Sequence, residues 1–286
     1  MRIQRSPRPA APAAAVFARF AASLGSLIAF SIALALAPLS AQTDEESLFN
    51  LLIPSFLPIL SPPAAAATPA PLPSPIPMNL CPVCGTSFPG VAKQHSAVWG
   101  IRLDLRTFGK AVRDPPDLPM CPNCRFVIFK TSFTDTELAR LRAYVASDPY
   151  KKIEARHFSY YYLAKILEAK AVPLKDGSYS IAHAYLQAAW QAEDYKDAGL
   201  VALYLQNALT WADAFAKESK PGDYYYPTSR LLPGELLRRL GRFAEAAARF
   251  APLEKDQNFS AAYLQRIIAA EQALIRVQDS SPQASP

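Results

Sequence analysis

Two short cysteine pairs constrain this chain more than any other feature. Cys81-Pro82-Val83-Cys84-Gly85 and Cys121-Pro122-Asn123-Cys124-Arg125 hold every cysteine in the 286 residues. Each Cys-x-x-Cys turn aims two thiolates at one point, and two such turns close a four-sulfur cage of the kind tetrahedral zinc takes. Cys81, Cys84, Cys121 and Cys124 are therefore the expected ligands of a structural Zn2+. Proline after the first cysteine stiffens the turn, and Gly85 permits the positive φ a knuckle uses there. The 36 residues from Gly85 to Met120 exceed the usual spacing of about 15–20. They predict a small elaborated lobe of strands, with Val98, Ile101, Leu103 and Leu105 on one side and Phe126, Val127, Ile128 and Phe129 on the other. A site filled by four thiolates has no position for water or substrate, which argues for structure over catalysis. His95 and Asp104 lie between the knuckles and could substitute as ligands; they are expected as solvated loop residues. Disulfide chemistry is the alternative, since four cysteines can pair in three ways and Cys-Pro-x-Cys also occurs in thiol exchange.

The front of the chain is a different material. Thirteen of the 27 prolines precede residue 80, and Arg2, Arg5, Arg8 and Arg19 come before the first acid, Asp44. The basic start, the apolar run Ala21 to Ala37 and the exit Pro38-Leu39-Ser40-Ala41 have the layout of a secretory signal. Residues 1–41 are accordingly expected to be a signal peptide or membrane anchor, placing the chain in the periplasm or cell envelope. Residues 42–77 are Pro/Ala-rich, with prolines at 69, 71, 73, 75 and 77, a pattern that forbids helix and favours an extended, disordered linker. The competing reading starts translation at Met78, which would leave the protein cytoplasmic. From residue 42 onward 26 basic residues face 24 acidic ones, so the pI near 9.1 reflects the front end. A polybasic nucleic-acid binder is not indicated.

After the second knuckle the pattern turns helical. Thr134-Asp-Thr-Glu137 is a capping box leading into Leu138, Leu141, Tyr144 and Val145. Asp148-Pro149 predicts the N-terminus of a helix through Ile153, Phe158, Tyr161, Tyr162 and Ile166, ending before Pro173. Segments 181–193 and 197–218 predict a further pair, and 259–277 a last helix. Between them, the run from Gly234 through Gly241 to Leu253 reads as a tetratricopeptide (TPR) unit. Gly234 and Ala246 allow close helix approach, Gly241 turns, and Phe243, Phe250 and Leu253 fill the gap to the next helix. One convincing repeat falls short of the roughly three a free-standing array needs, so the helices are expected to lean on the lobe or on the 134–171 hairpin.

The paired Cys-Pro-x-Cys knuckles, the Ala188-Ala189-Trp190 stretch and the Gly234-Glu-Leu-Leu-Arg-Arg-Leu-Gly241 run resemble an uncharacterised bacterial domain-of-unknown-function family. That family joins a zinc-ribbon-like front to TPR-like helices, and the resemblance spans about residues 79–275. It implies that Cys81, Cys84, Cys121 and Cys124 are the metal ligands and that Gly234 to Phe250 is the repeat; it implies no activity. The chain departs from it at Arg125, where a glycine is usual, and in its front end.

The expected fold class is mainly α: residues 78–132 form a small zinc-ribbon-like β lobe and 133–278 a TPR-like antiparallel helical array, with a disordered tail at 279–286. P-loop, G-x-S-x-G, H-E-x-x-H and Rossmann glycine patterns are missing from the sequence, and His157 and His183 read as packing or surface residues. The expected function is a non-catalytic exported scaffold that binds a protein or peptide, with Tyr161 and Tyr225, from the triplets 160–162 and 224–226, as its contact residues. Nucleic acid is not an expected partner, and membrane contact is expected only through the N-terminal segment. The alternatives are an envelope thiol-redox or metal-handling protein and, with a Met78 start, a cytosolic nucleic-acid-associated zinc protein.

Overall fold

The computed structural model describes residues 77–91, 97–110, 114–170, 172–174 and 177–286. The signal-like segment, nearly all of the linker and His95 lie outside them. The described residues form one compact unit. It opens with two small antiparallel hairpins, β1 (Met78–Leu80) with β2 (Ser87–Pro89) and β3 (Ala97–Ile101) with β4 (Thr107–Lys110). Among the described residues eight α-helices follow: α1 (Asp135–Val145), α2 (Asp148–Lys151), α3 (Ser159–Glu168), α4 (Gly177–Asp194), α5 (Ala198–Glu218), α6 (Tyr226–Arg239), α7 (Phe243–Phe250) and α8 (Ala262–Arg276). The mainly helical class with a small β region is as expected. Among the described residues no helix is long and apolar enough to cross a membrane.

Helix ends follow local chemistry. The capping box of α1 is complete: the Glu137 amide donates to Thr134 Oγ1 at 3.2 Å, and the Thr134 amide donates to Glu137 Oε2 at 2.8 Å. Asp197 caps α5 by accepting from the Leu200 amide at 2.9 Å. Helices α4 and α6 end alike, with the amide three residues beyond the last helical residue reaching back five residues: Asp197 to the Ala192 carbonyl at 3.0 Å and Arg242 to that of Leu237 at 2.9 Å. This closure needs a left-handed residue. Gly241 supplies it at φ 72°, and Lys196 supplies it at φ 58° without a glycine.

The single helix expected from Asp148 through Ile166 is instead two. Ser147, not Asp148, is the N-cap of α2, which lasts four residues before the chain leaves helix until α3. The break is where Arg125 intrudes. Its guanidinium donates to the Ile153 carbonyl at 3.0 Å, an acceptor that a continuous helix would use for itself, while the Tyr150 hydroxyl donates back to the Arg125 carbonyl at 2.9 Å.

Alanines on α4 (Ala182, Ala184, Ala188, Ala189 and Ala192) are buried and bring α5 close, around Trp190, Tyr185 and Tyr204. His157, read as a packing or surface residue, is buried, shares a 2.7 Å hydrogen bond with the Tyr204 hydroxyl and stacks on Tyr161. Helices α6 and α7 meet where Gly234 faces Phe250: a Cβ at 234 would stand 2.6 Å from the ring. Both Phe250 and Ala246 are fully buried. Gly234→Ala is therefore expected to destabilise the fold by about 1–3 kcal/mol through overpacking, read as a lower urea midpoint at unchanged slope. The same substitution at Gly199, whose Cβ would have only an Asp197 oxygen at 3.4 Å, should not.

Two expectations fail in the lobe and the tail. Val98 and Ile101 are exposed rather than packed, as is Trp99 at 71%. A register shift between Val98 and Gly100 breaks the alternation, and a two-stranded ribbon has no second layer to cover it. Leu103, Phe126 and Val127 are the buried members of the two expected rows. Residues 279–286, expected to be disordered, pack against the rest of the unit. The Leu103 amide donates to the Gln283 carbonyl at 2.9 Å and the Ser285 amide to that of Ile101 at 2.8 Å, extending the β3 edge. Arg238 holds the near end by donating to the carbonyls of Asp279 and Ser281 at 2.6 and 2.9 Å.

Arg238 is fully buried between two carboxyls, Glu235 and Glu271. Burial, then the neighbouring charge of Glu271, pushes Glu235 well above its ordinary 4.5, and burial also raises Glu271. One guanidinium thus meets two carboxyls that resist joint ionisation. A carboxyl raised in the folded state binds more protons folded than unfolded, so its stabilisation is present below the unfolded pKa and is lost as pH rises from there through the folded pKa. Glu235→Gln keeps the shape and removes that titration. It is expected to flatten the loss of thermal stability as pH rises above the ordinary carboxylate value of about 4.3 relative to the parent, followed by melting temperature against pH.

Candidate metal centre

The first knuckle is the turn of the β1–β2 hairpin, with Asn79 opposite Phe88. The second repeats its bonding on an isolated Met120–Val127 bridge. In each, the amide of the leading cysteine donates five residues ahead (Cys81 to the Thr86 carbonyl at 2.9 Å, Cys121 to that of Phe126 at 2.8 Å). In each, the residue after the second cysteine donates back to the first, Gly85 to Cys81 at 2.9 Å and Arg125 to Cys121 at 2.8 Å. Both of those residues are left-handed, Gly85 at φ 75° and Arg125 at φ 58°. Arginine in that conformation carries a local steric cost, offset here by what its side chain reaches: the Ile153 carbonyl and the Tyr162 hydroxyl, both at 3.0 Å. The departure from glycine leaves the knuckle intact and ties it to the helices.

The two turns bring the four sulfurs together as the spacing predicts. Cys81 Sγ lies 3.6 Å from Cys124 Sγ, and Cys84 Sγ lies 3.5 Å from Cys121 Sγ. All four lie within 4.8 Å of one another, close enough to hold a metal ion. The four cysteines are not joined in disulfides: these separations far exceed the ~2.05 Å of an S–S bond. The cage is lopsided: Cys81 and Cys121 are 1% and 0% exposed, whereas Cys84 is exposed and Cys124 half-buried. The hydrogen bond between Cys84 Sγ and the Thr86 hydroxyl, at 3.2 Å, pulls the Cys84 thiol down to about 6, while burial pushes those of Cys81 and Cys124 up. A cleft of about 550 Å³ opens beside the cage, lined by Cys84, Cys124, Arg125, Arg142 and Lys151, with no acidic residue on its walls.

Asp104 is not the solvated loop residue the sequence suggested. It is 0% exposed and lies at the turn between β3 and β4, where it joins an ion network. Arg102 Nε donates to it at 2.9 Å, Trp190 Nε1 at 3.0 Å and Arg239 Nη1 at 2.5 Å. Glu193 completes the network by accepting from Arg102 and Arg239, and Arg106 donates to Asp194 at 2.7 Å. Burial alone would raise Asp104, but hydrogen bonding and charge from Arg102, with Arg239 and Trp190, hold it below the ordinary carboxylate value. Sequence reading missed Arg239, Glu193 and Asp104 as a unit. The only signal was charge at positions of α4 and α6 that the apolar period assigns to packing.

The tyrosines separate by environment. Tyr160 and Tyr162 are buried, and Tyr161 packs between His157 at 4.0 Å and Tyr204 at 5.1 Å, between ring centroids. Tyr225 stacks on Tyr179 at 4.8 Å and meets Tyr224, which is 89% exposed.

Residues 78–275 match the model of a family described as uncharacterised proteins conserved in bacteria (DUF2225). No curated protein and no solved structure matches the chain.

Proposed function

The chain belongs to this bacterial family, whose matched span runs from β1 into the last helix, and we propose that it is an exported, non-catalytic scaffold. In this reading a zinc-stabilised lobe braces a TPR-like helical array, and the array binds a protein or peptide. The observation that carries it is the four-sulfur cage. Sulfur separations of 3.5–3.6 Å are close to the edge of about 3.75 Å of a tetrahedron with Zn–S near 2.3 Å. Four protein sulfurs fill such a site, so the ion would cross-link two knuckles rather than activate water. The helical half supports the partner reading: α6 and α7 pair through Gly234 and turn at Gly241, and stacked arrays of this kind offer surfaces for extended segments. With Tyr161 engaged by its neighbours, the contact centres on Tyr225 and Tyr224.

A second reading, metal handling in the envelope, is favoured by the exposure of Cys84. The test uses full-length chain from a bacterial host, split into envelope and cytosolic fractions. One zinc per chain with four metal-protected thiols in the envelope fraction is expected. Metal-free protein with two disulfides would favour thiol chemistry, and a purely cytosolic product starting at Met78 would revive the nucleic-acid alternative. Partner capture should be lost in a Tyr224→Ala/Tyr225→Ala variant that melts like the parent; full capture by that variant would overturn the proposed contact.

A further inference from the structure

We infer that the metal centre exchanges its ion through the cationic cleft beside it, with Cys84 as the ligand that yields its place to an incoming anionic chelating ligand. The inference rests on the proposed metal site and goes beyond its structural role. Two observations carry it. The cage is open on one side only: Cys81 and Cys121 are sealed in the core, while Cys84 and Cys124 form part of the cleft wall. Cys84, the more exposed of the two, sits in the first knuckle, whose long-range hydrogen bonds, Arg142 to the Pro82 carbonyl and Asn123 to the Thr86 hydroxyl, are both solvent-exposed. The second knuckle is anchored through Arg125 to the Ile153 carbonyl and the Tyr162 hydroxyl. Displacing Cys84 therefore disturbs less structure than displacing any other sulfur.

The cleft also selects its visitor. Arg125, Arg142 and Lys151 line it with no acidic residue among them. Arg125 is committed to its two acceptors, and Arg142 donates to the Pro82 carbonyl at 3.1 Å, inside the first knuckle. Lys151 is exposed at the end of α2. Four thiolates around a divalent ion carry a net charge of about −2, which by itself repels an anionic ligand. The three cations offset that repulsion at the point of approach and raise the local concentration of anions. In the exchange, one metal–sulfur bond at Cys84 breaks as one bond to the incoming donor atom forms. No electrons are transferred, and Cys84 is released as a thiolate.

The bland alternative is that these cations merely stabilise the thiolates, and it predicts the opposite sign. The experiment loads the full chain with Co2+, follows loss of the thiolate-to-cobalt absorption, and compares anionic EDTA with the neutral chelator tris(2-pyridylmethyl)amine. Release to EDTA is expected to scale with chelator concentration. Lys151→Glu should slow it about threefold or more while leaving release to the neutral chelator unchanged. Release independent of chelator concentration, or faster release to both chelators in Lys151→Glu, overturns the inference. Peptide mapping after N-ethylmaleimide should find Cys84 alkylated first; Cys81, Cys121 or Cys124 first would reject its assignment. A chain that takes up no cobalt through its thiols fails the proposed metal site itself, a result separate from these.

Discussion

Replacing Cys121 with serine is expected to unfold the lobe and to lower the stability of the helical half with it. Cys121 is fully buried, its amide and carbonyl close the second knuckle, and its sulfur lies 3.5 Å from that of Cys84. Metal binding and folding are coupled in four-sulfur sites, with apparent binding energies on the order of 10 kcal/mol. With the proposed metal bound, removing one sulfur forfeits much of that, and chelation of the parent should act in the same direction. The damage is expected to spread because the second knuckle orients Arg125, whose backbone carbonyl accepts from Tyr150 and whose guanidinium holds Ile153 and Tyr162. Near-ultraviolet circular dichroism reports Tyr150 and Tyr162 in the helical half, and loss of their signal together with the metal is the expected result. A Cys121→Ser chain with an unchanged spectrum and melting temperature would mean that the cage contributes nothing to the fold.

Asp104→Ala is expected to be the most damaging change outside the cysteines, at about 3–5 kcal/mol. It leaves Arg102 and Arg239 buried with one acceptor fewer and deprives Trp190 Nε1 of its partner. Asp104→Asn keeps the shape and an acceptor for Trp190 but removes the charge, so it should cost less than the alanine change while remaining destabilising. Asp104 and Glu193 are both held below the ordinary carboxylate values, burial opposing and arginine contacts prevailing. Their contribution is therefore present above the unfolded pKa and lost as pH falls through the folded pKa. Asp104→Ala should accordingly weaken the pH dependence of stability below about pH 4, as measured by urea unfolding across that range. Equal stability of parent and variant at neutral pH would show that the network is not what joins β3–β4 to α4 and α6.

The same chain was transparent in some places and opaque in others. The knuckles, the capping box at Thr134 and the turn at Gly241 were legible because each depends on neighbours a few residues away, and the close approach at Gly234 because its partner Phe250 lies on the very next helix. Sterics, a missing Cβ or a hydroxyl three positions before a glutamate act whatever the rest of the chain does. The four-sulfur cage was legible for a related reason, since each half is local and the two halves need only meet. What the tertiary structure decided was which charged and polar groups found one another over long separations. Asp104 reaches Trp190 and Arg239 across 86 and 135 positions, and Arg238 reaches the tail across 41. The helix expected from Asp148 is interrupted where folding sets the Arg125 guanidinium against the Ile153 carbonyl. Periodicity records which face of an element is apolar, but not which element ends converge. A buried charge is tolerated only where its counter-charges converge, and that is a property of the assembled fold.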